Sequence, residues 1–414
     1  FALNSFGSDS STASHNINSI NSSYFGENFD LSFEYANKYT VINPAIVQID
    51  FDLTTFTSDT TFRKSSYGSG LAFSSNYLMN IFSFSFDYAF YSFFVGDPSV
   101  RHSQPLPEGI SQFQKPMVTS QEYSSTLLNR LTRIHDSSDE IGFNFAFSVD
   151  VGQSGSLVLN SSYASRTKEW YRKLESDFIT SKWKVQNKDY FFPSQDPSSN
   201  PYEQHTISYE KFFDRGNYQI ALSKSYEIKT LYENDISDLD KKTRYDFIDA
   251  ITIPFNMEYN IIGDYSLALN LGYQEIKKGI QTNYTNSPDS YISYYENING
   301  ESEEKQNTYV ASFGLSKSSK WSIIINIERD NHNEADGVSE NFFMNPLERI
   351  FDPMFDTLDR TWISSEIVYR FNNNLRLSLF YGSNKGGVNC ANGICRYYPG
   401  FSDGFRMQLT KNFY

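Results

Sequence analysis

Phe82-Ser83-Phe84-Ser85-Phe86-Asp87-Tyr88-Ala89-Phe90 sets an aromatic ring at every second position and a small or polar residue between each pair. Successive side chains of a β-strand point to opposite faces. As a strand, this stretch therefore carries one wholly aromatic face and one small or polar one. No helix could sort it so, because the helical period is 3.6. The same alternation runs outward in both directions. Phe29, Leu31, Phe33 and Tyr35 alternate with Asp30, Ser32 and Glu34; Val47, Ile49, Phe51 and Leu53 alternate with Gln48, Asp50, Asp52 and Thr54. It recurs over 141–151, 157–163, 207–213, 218–228, 251–259, 265–273, 309–315, 321–327, 363–371, 375–381 and 405–413.

A soluble β-sandwich also alternates, so the connections decide. Residues 152–155, 214–217, 261–264, 316–320 and 372–374 read as tight links. Between them fall long polar excursions at 96–140, 167–200, 234–242, 279–305, 331–360 and 384–400. From residue 140 onward short and long links alternate. Loops of that length are uncommon in compact soluble domains. A transmembrane antiparallel β-barrel, with short periplasmic turns and long extracellular loops, requires this rhythm. The alternating runs number about fifteen. Single-chain bacterial barrels favour even counts, so the expectation is 14–16 strands in one domain over 1–414, with 1–28 holding an incomplete first strand and loop. The stretch 71–80 is the weakest of the set, because its turn lacks Gly and Pro.

Composition agrees. Mean hydropathy is -0.51, polar on average, yet aromatics make up 17% of the 414 residues, with 36 Phe and 30 Tyr. A barrel accommodates such rings on its lipid face and in its interfacial girdles. No run approaches the roughly 18 apolar residues of a membrane helix. The chain opens on Phe1, which reads as a mature or truncated form lacking its export signal. The net charge of -14 disfavours nucleic acid as a partner and suits acidic loops or a cation-favouring lumen. The expected partners are outer-membrane lipid and lipopolysaccharide, with an envelope protein on the long external loops; the expected location is integral to a bacterial outer membrane.

The last strand, Phe405-Arg406-Met407-Gln408-Leu409-Thr410-Lys411-Asn412-Phe413-Tyr414, resembles the terminal signature of outer-membrane barrels, which implies recognition by the barrel assembly machinery. Here the in-phase aromatic is Phe413, and Tyr414 follows it. The segment Gly386-Gly387-Val388-Asn389-Cys390-Ala391-Asn392-Gly393-Ile394-Cys395-Arg396 is similar to the last external loop of an uncharacterised family of outer-membrane barrels. So are Thr132-Arg133-Ile134-His135 and Asp139-Glu140-Ile141-Gly142-Phe143. The resemblance implies fold and location, and no established activity.

Carrying the alternation inward places Glu34, Asp50, Asp52, Asp87, Glu210, Glu227, Glu258, Glu328 and Glu366 on the polar face, with Arg370, Arg376 and Arg406 as the late bases. Arg370 and Arg376 flank one tight turn. Opposed charges across a water-filled pore orient dipolar solutes and tune ion selectivity; the competing reading is plain wall salt bridges. Lys224 and Pro254 fit poorly, one charged on a lipid-facing position and the other lacking a ladder donor. Cys390 and Cys395, the sole cysteines, lie in an external Gly-rich loop without the further ligands a metal would want. In an oxidising compartment they read as a disulfide, stabilising by roughly 2 kcal/mol. Acidic runs at 233–240, 301–304 and 352–359 read as solvated loops or as surface calcium sites; none has calcium-loop spacing. The five histidines and the serines form no metal or nucleophile motif, so neither an enzyme nor a cofactor is expected. Residues 121–137 and 168–179 have near-helical apolar spacing and can fold inward to narrow the lumen, cap it, or pack on its rim.

The leading functional expectation is a porin-like channel for small hydrophilic solutes. The alternative is a non-conducting barrel serving as scaffold or partner subunit. No plug domain is visible, so a TonB-type gated transporter would have to be a fragment lacking its plug.

Overall fold

The computed structural model describes residues 12–52, 57–92, 125–131, 133, 139–174, 181–186, 191–231, 242–261, 263–284, 295–296, 304–318, 320–331, 360–372, 374–385, 387–391, 394–398 and 401–412. In chain order the elements are β1 (Thr12–Phe25), β2 (Phe29–Asp52), β3 (Thr57–Leu78), β4 (Phe82–Ser92), α1 (Thr126–Arg130), β5 (Asp139–Val151), β6 (Gly155–Ser165), β7 (Glu169–Leu174) and β8 (Ser181–Gln186). There follow β9 (Tyr202–Phe213), β10 (Gly216–Leu231), β11 (Lys242–Asn260), β12 (Tyr265–Tyr284), β13 (Tyr295–Glu296) and β14 (Glu304–Lys317). The last six are β15 (Trp321–Asp330), β16 (Arg360–Asn372), β17 (Leu375–Asn384), β18 (Gly387–Ala391), β19 (Ile394–Tyr398) and β20 (Phe401–Lys411).

The chain is all-β, with one antiparallel sheet in the order β1-β2-β3-β4-β5-β6-β9-β10-β11-β12-β14-β15-β16-β17-β20 and β13 as a short branch on β12. Two small hairpins, β7–β8 and β18–β19, sit in the long connections. Every sheet strand pairs with its successor along the chain, and the links on one side are short throughout: 26–28, 79–81, 152–154, 214–215, 261–264, 318–320 and 373–374. Gly152 (φ 72°) and Gly263 (φ 82°) take the left-handed turn conformation that other residues avoid. The ends of this path, β1 and β20, run in the same direction, whereas a ring built only of antiparallel pairs takes an even number of strands.

Three readings of the sequence are corrected. Of the run 47–53, residues 47–52 are not a separate strand but the far part of the continuous 24-residue β2, and residue 53 lies outside the described residues. The strand this removes from the tally is replaced by β1, whose sequence hides it: Ile17 and Ile20 are three apart and the neighbours are Asn and Ser. The near-helical spacing at 168–179 gives no helix among the described residues; Glu169–Leu174 is a strand paired with β8.

The sheet inverts the usual sorting of side chains. In β12, Leu267, Leu269, Leu271 and Tyr273 share a face with Tyr259, Met257, Phe255 and Ile253 of β11 and with Leu315, Phe313, Ala311 and Tyr309 of β14. That face is uncovered: Leu271 is 43% exposed and Phe313 47%. The other face carries Thr252 and Gln274, which are 1% and 2% exposed. A contiguous bare apolar surface backed by a buried polar one is wrong for water and right for lipid. Aromatic rings close the apolar band near the short links, where Phe213 packs on Tyr259 at 6.1 Å, Tyr265 on Trp321 at 6.2 Å and Tyr77 on Phe82 at 6.2 Å. Tyr273 and Tyr309, 5.2 Å apart, close it at the other end. Immediately beyond come ion pairs on the same face, Lys305–Glu275 at 2.8 Å and Lys224–Asp249 at 3.7 Å. From Tyr265 to Tyr273 the band spans about 27 Å along the strand at ~3.4 Å per residue. Lys224 thus belongs to the charged border, level with His205 of β9. Pro254 is buried on the polar face, in register with Gly272. No bulge forms there; pairing with β10 lapses between Ile220 and Ser223 and resumes in the same register.

Candidate functional site

The connection from β4 to β5 returns onto the polar face of the sheet. Its helix α1, five residues long, has Leu127 and Leu128 buried at 1% and 2% exposure. Gly272 makes room for it: a Cβ there would stand 2.7 Å from Leu127 Cδ1. Beside it the Gln274 amide donates to the Leu127 carbonyl at 3.0 Å and to Thr252 Oγ1 at 2.9 Å. A carbonyl at the end of so short a helix lacks an intrahelical donor, and Gln274 supplies one.

Arg130 fixes the far end. Its Nη1 and Nη2 donate to Glu328 Oε1 at 2.5 Å and Oε2 at 2.9 Å, the bidentate fork that makes Arg–carboxylate pairs strong. Burial opposes the guanidinium charge, and the carboxylates of Glu328 and Asp330 outweigh it, holding Arg130 above the ordinary arginine pKa. Two residues along that strand and on the same face, Asp330 takes Lys385 from the β17 connection. Lys385 also stands 4.0 Å from Glu328 and 5.7 Å from the Trp362 ring centroid. The hairpin β18–β19 lies alongside α1.

Three residues past Arg130, Arg133 faces the other way. Its Nε donates to Glu140 at 3.4 Å, its Nη1 donates to the Asn200 carbonyl at 3.0 Å, and its guanidinium lies 5.6 Å from the Tyr202 ring centroid. Asn200, in the left-handed region at φ 52°, accepts from Thr230 N and Oγ1 and so ties that corner to β10. These contacts constrain the sheet. Between β5, which holds Glu140, and β15, which holds Glu328, lie β6, β9, β10, β11, β12 and β14. Seven strand steps at ~4.8 Å make about 34 Å measured along a flat sheet, while Arg130 and Arg133 are at most ~11 Å of chain apart. On a flat sheet all four side chains would have to extend fully and in opposite directions to meet. The sheet therefore curls about α1, with its polar face on the concave side.

Of the residues expected in a lumen, Glu34 lies on the polar face of β2 opposite Ala72, and Asp87 on that of β4 opposite Asn144. Glu366 accepts from Ser378 Oγ. Arg370 stands directly opposite Arg376, and the Arg406 guanidinium lies 5.3 Å from the Phe380 ring centroid. Asp50 and Asp52 fall beyond a register shift between Val41 and Ile46, far along β2, and their side chains lie outside the described residues. The structure does not gather the eight into one cluster: the acids belong to the early strands and the arginines to the late ones, with Glu366 among the latter. Arg130, Arg133, Gly272, Gln274 and Lys385 were not singled out as site residues; only the apolar spacing around 121–137 signalled that this loop can turn inward. Cys390 and Cys395 are directly opposite each other in the β18–β19 hairpin. Their side chains lie outside the described residues, and no disulfide is present among those described. The acidic runs at 301–304 and 352–359 also lie largely outside them.

No protein-family profile matches the chain, and no characterised protein matches it in sequence. Among solved structures it is similar to the ferric-catecholate import receptor Fiu from E. coli K12 in its closed form, at 10% identity and a TM-score of 0.39, over 97% of this chain and 61% of that one. The open form of Fiu gives 9% and 0.31, over 97% and 80%. A deletion mutant of TodX, a monoaromatic hydrocarbon channel, gives 9% and 0.26, over 100% and 93%. The chain thus spans about three-fifths of the length of the closed-form receptor. These neighbours are outer-membrane proteins built on β-barrels; superposition this loose carries nothing about substrate or mechanism.

Proposed function

We propose that the chain is an integral outer-membrane barrel whose interior is a path for small hydrophilic solutes, narrowed by the inward-folded segment around α1. The observation that carries this reading is the pair of arginines in that segment, which grip opposite parts of the curled sheet's polar face while its apolar face stays bare. In this arrangement the polar face lines a lumen, the short links face the periplasm, and the long connections face the exterior. Outer-membrane lipid and lipopolysaccharide are the partners of the apolar band. Glu34 and Asp87 on one arc, and Arg370, Arg376 and Arg406 on another, set up a transverse field that orients dipolar solutes. The acidic balance of the chain favours cations. No catalytic step is assigned.

The burial of the polar face near α1, where Ser225, Thr252, Gln274 and Glu140 are all nearly inaccessible, favours a second reading: an occluded barrel acting as scaffold or partner subunit. Single-channel recording in a planar bilayer separates them. The channel reading expects discrete conductance steps from the native chain, enlarged when Arg130→Ala frees α1. A silent native chain that stays silent as Arg130→Ala belongs to the scaffold.

A further inference from the structure

Where the polar face meets the short links of β14–β15 and β16–β17, the sheet borders an open recess of about 320 Å³ whose lining includes Ser316, Lys320, Ser322, Glu366, Arg370 and Arg376. Its size is that of a small-ligand pocket. Three of these six residues are cationic, and one is acidic. The acidic residue, Glu366, already accepts a hydrogen bond from Ser378. The two arginines are direct cross-strand partners in the register of β16 and β17. Like charges set directly opposite destabilise a sheet, and among the described residues neither arginine has an ion-pair partner. Lys320 comes from the adjoining link, its carbonyl accepting from the Arg370 backbone N–H at 2.8 Å, which brings the third cation to the same rim. Two planar guanidinium forks and an ammonium, which only donate, border the recess beside two serine hydroxyls, which can do either; Ser316 Oγ shares a hydrogen bond with Ser266 Oγ at 2.6 Å.

We propose that this recess binds an anionic solute through a phosphate or carboxylate group, bridging Arg370 and Arg376 and turning their mutual repulsion into shared attraction. This rests on the polar face being the wetted one, as in the channel reading, but it does not require an open path through the lumen. A dianion of phosphate size offers paired oxygens to both forks. The site lies at the periplasmic mouth, so it would hold such a solute at the exit or entry of the path and would locally oppose the cation preference of the acidic arc.

The test is equilibrium dialysis of radiolabelled inorganic phosphate against the folded full chain in detergent, with succinate as competitor. One saturable site per chain is expected. Affinity should fall by at least about tenfold in Arg370→Gln and in Arg376→Gln, the loss of a charge-assisted hydrogen-bond pair, and should stay unchanged in Arg215→Gln, a cation of the short β9–β10 link that does not line the recess. Displacement by succinate assigns the site to anions generally; resistance to it assigns phosphate. Heat-modifiable electrophoretic mobility confirms that each variant is folded. Absence of saturable binding in the native chain, or an equal loss in Arg215→Gln, overturns the proposal. Bilayer conductance, measured separately, decides the channel reading whichever way the binding falls.

Discussion

Gly272 and Arg130 hold α1 by opposite means, one by lacking a side chain and the other by having a long charged one. A Cβ on residue 272 would stand 2.7 Å from Leu127 Cδ1, and a whole leucine side chain would need the space Leu127 fills, so Gly272→Leu should expel α1 from the polar face while leaving the ladder of β11, β12 and β14 intact. The expected readout is a raised conductance, with new proteolytic cleavage between 125 and 131 and unchanged circular dichroism. Arg130→Ala removes one partner of a largely buried pair and leaves Glu328 without its bidentate fork, next to Asp330 and Lys385. Losing one member of such a pair costs about 3–5 kcal/mol when fully buried; with the Arg130 side chain 21% exposed, about 2–3 kcal/mol of docking is the expectation. Denaturant titration of a fluorophore placed on α1 measures it. A loss below about 0.5 kcal/mol would mean that the fork does not secure the helix.

At the scale of elements, β10, β11 and β12 make the membrane band testable position by position. Met257, in register with Leu269, lies mid-band and Lys224 at its charged border, so Met257→Lys should destabilise refolding into bilayers by about 2–4 kcal/mol, whereas Lys224→Leu should change it by less than about 1 kcal/mol. The hairpin β18–β19 sets Cys390 opposite Cys395, a geometry in which cross-strand sulfurs can bond. Mass spectrometry after alkylation, before and after reduction, reads whether the two thiols are paired. The strands best seen in the sequence were those whose two faces differ most. Phe82–Ser92 and Trp321–Asp330 declare themselves because lipid demands an apolar residue at every second position. β1 does not, since Asn and Ser serve both faces of its stretch. The join within β2 was hidden because alternation lapses around Asn43, Pro44 and Ala45, where the register with β3 shifts. The site was less legible for a further reason. The lumen charges follow from alternation, but their neighbours follow from how an irregular loop crosses the concave face, and no period records that. Arg130 and Arg133 are three apart, yet they reach strands seven steps apart in the sheet.

For the molecule as a whole, the claim beneath every other is that one surface of the curled sheet meets lipid and the other meets water. Leu269 and Asn270 are neighbours in β12 on opposite faces, at the same depth. Nitroxide labels on Leu269→Cys and Asn270→Cys, in a background with Cys390 and Cys395 replaced by Ser and reconstituted into liposomes, compare the two directly. The account predicts that relaxation by molecular oxygen dominates at residue 269 and relaxation by a water-soluble nickel chelate dominates at residue 270. Equal accessibility to the nickel chelate at both positions would contradict it.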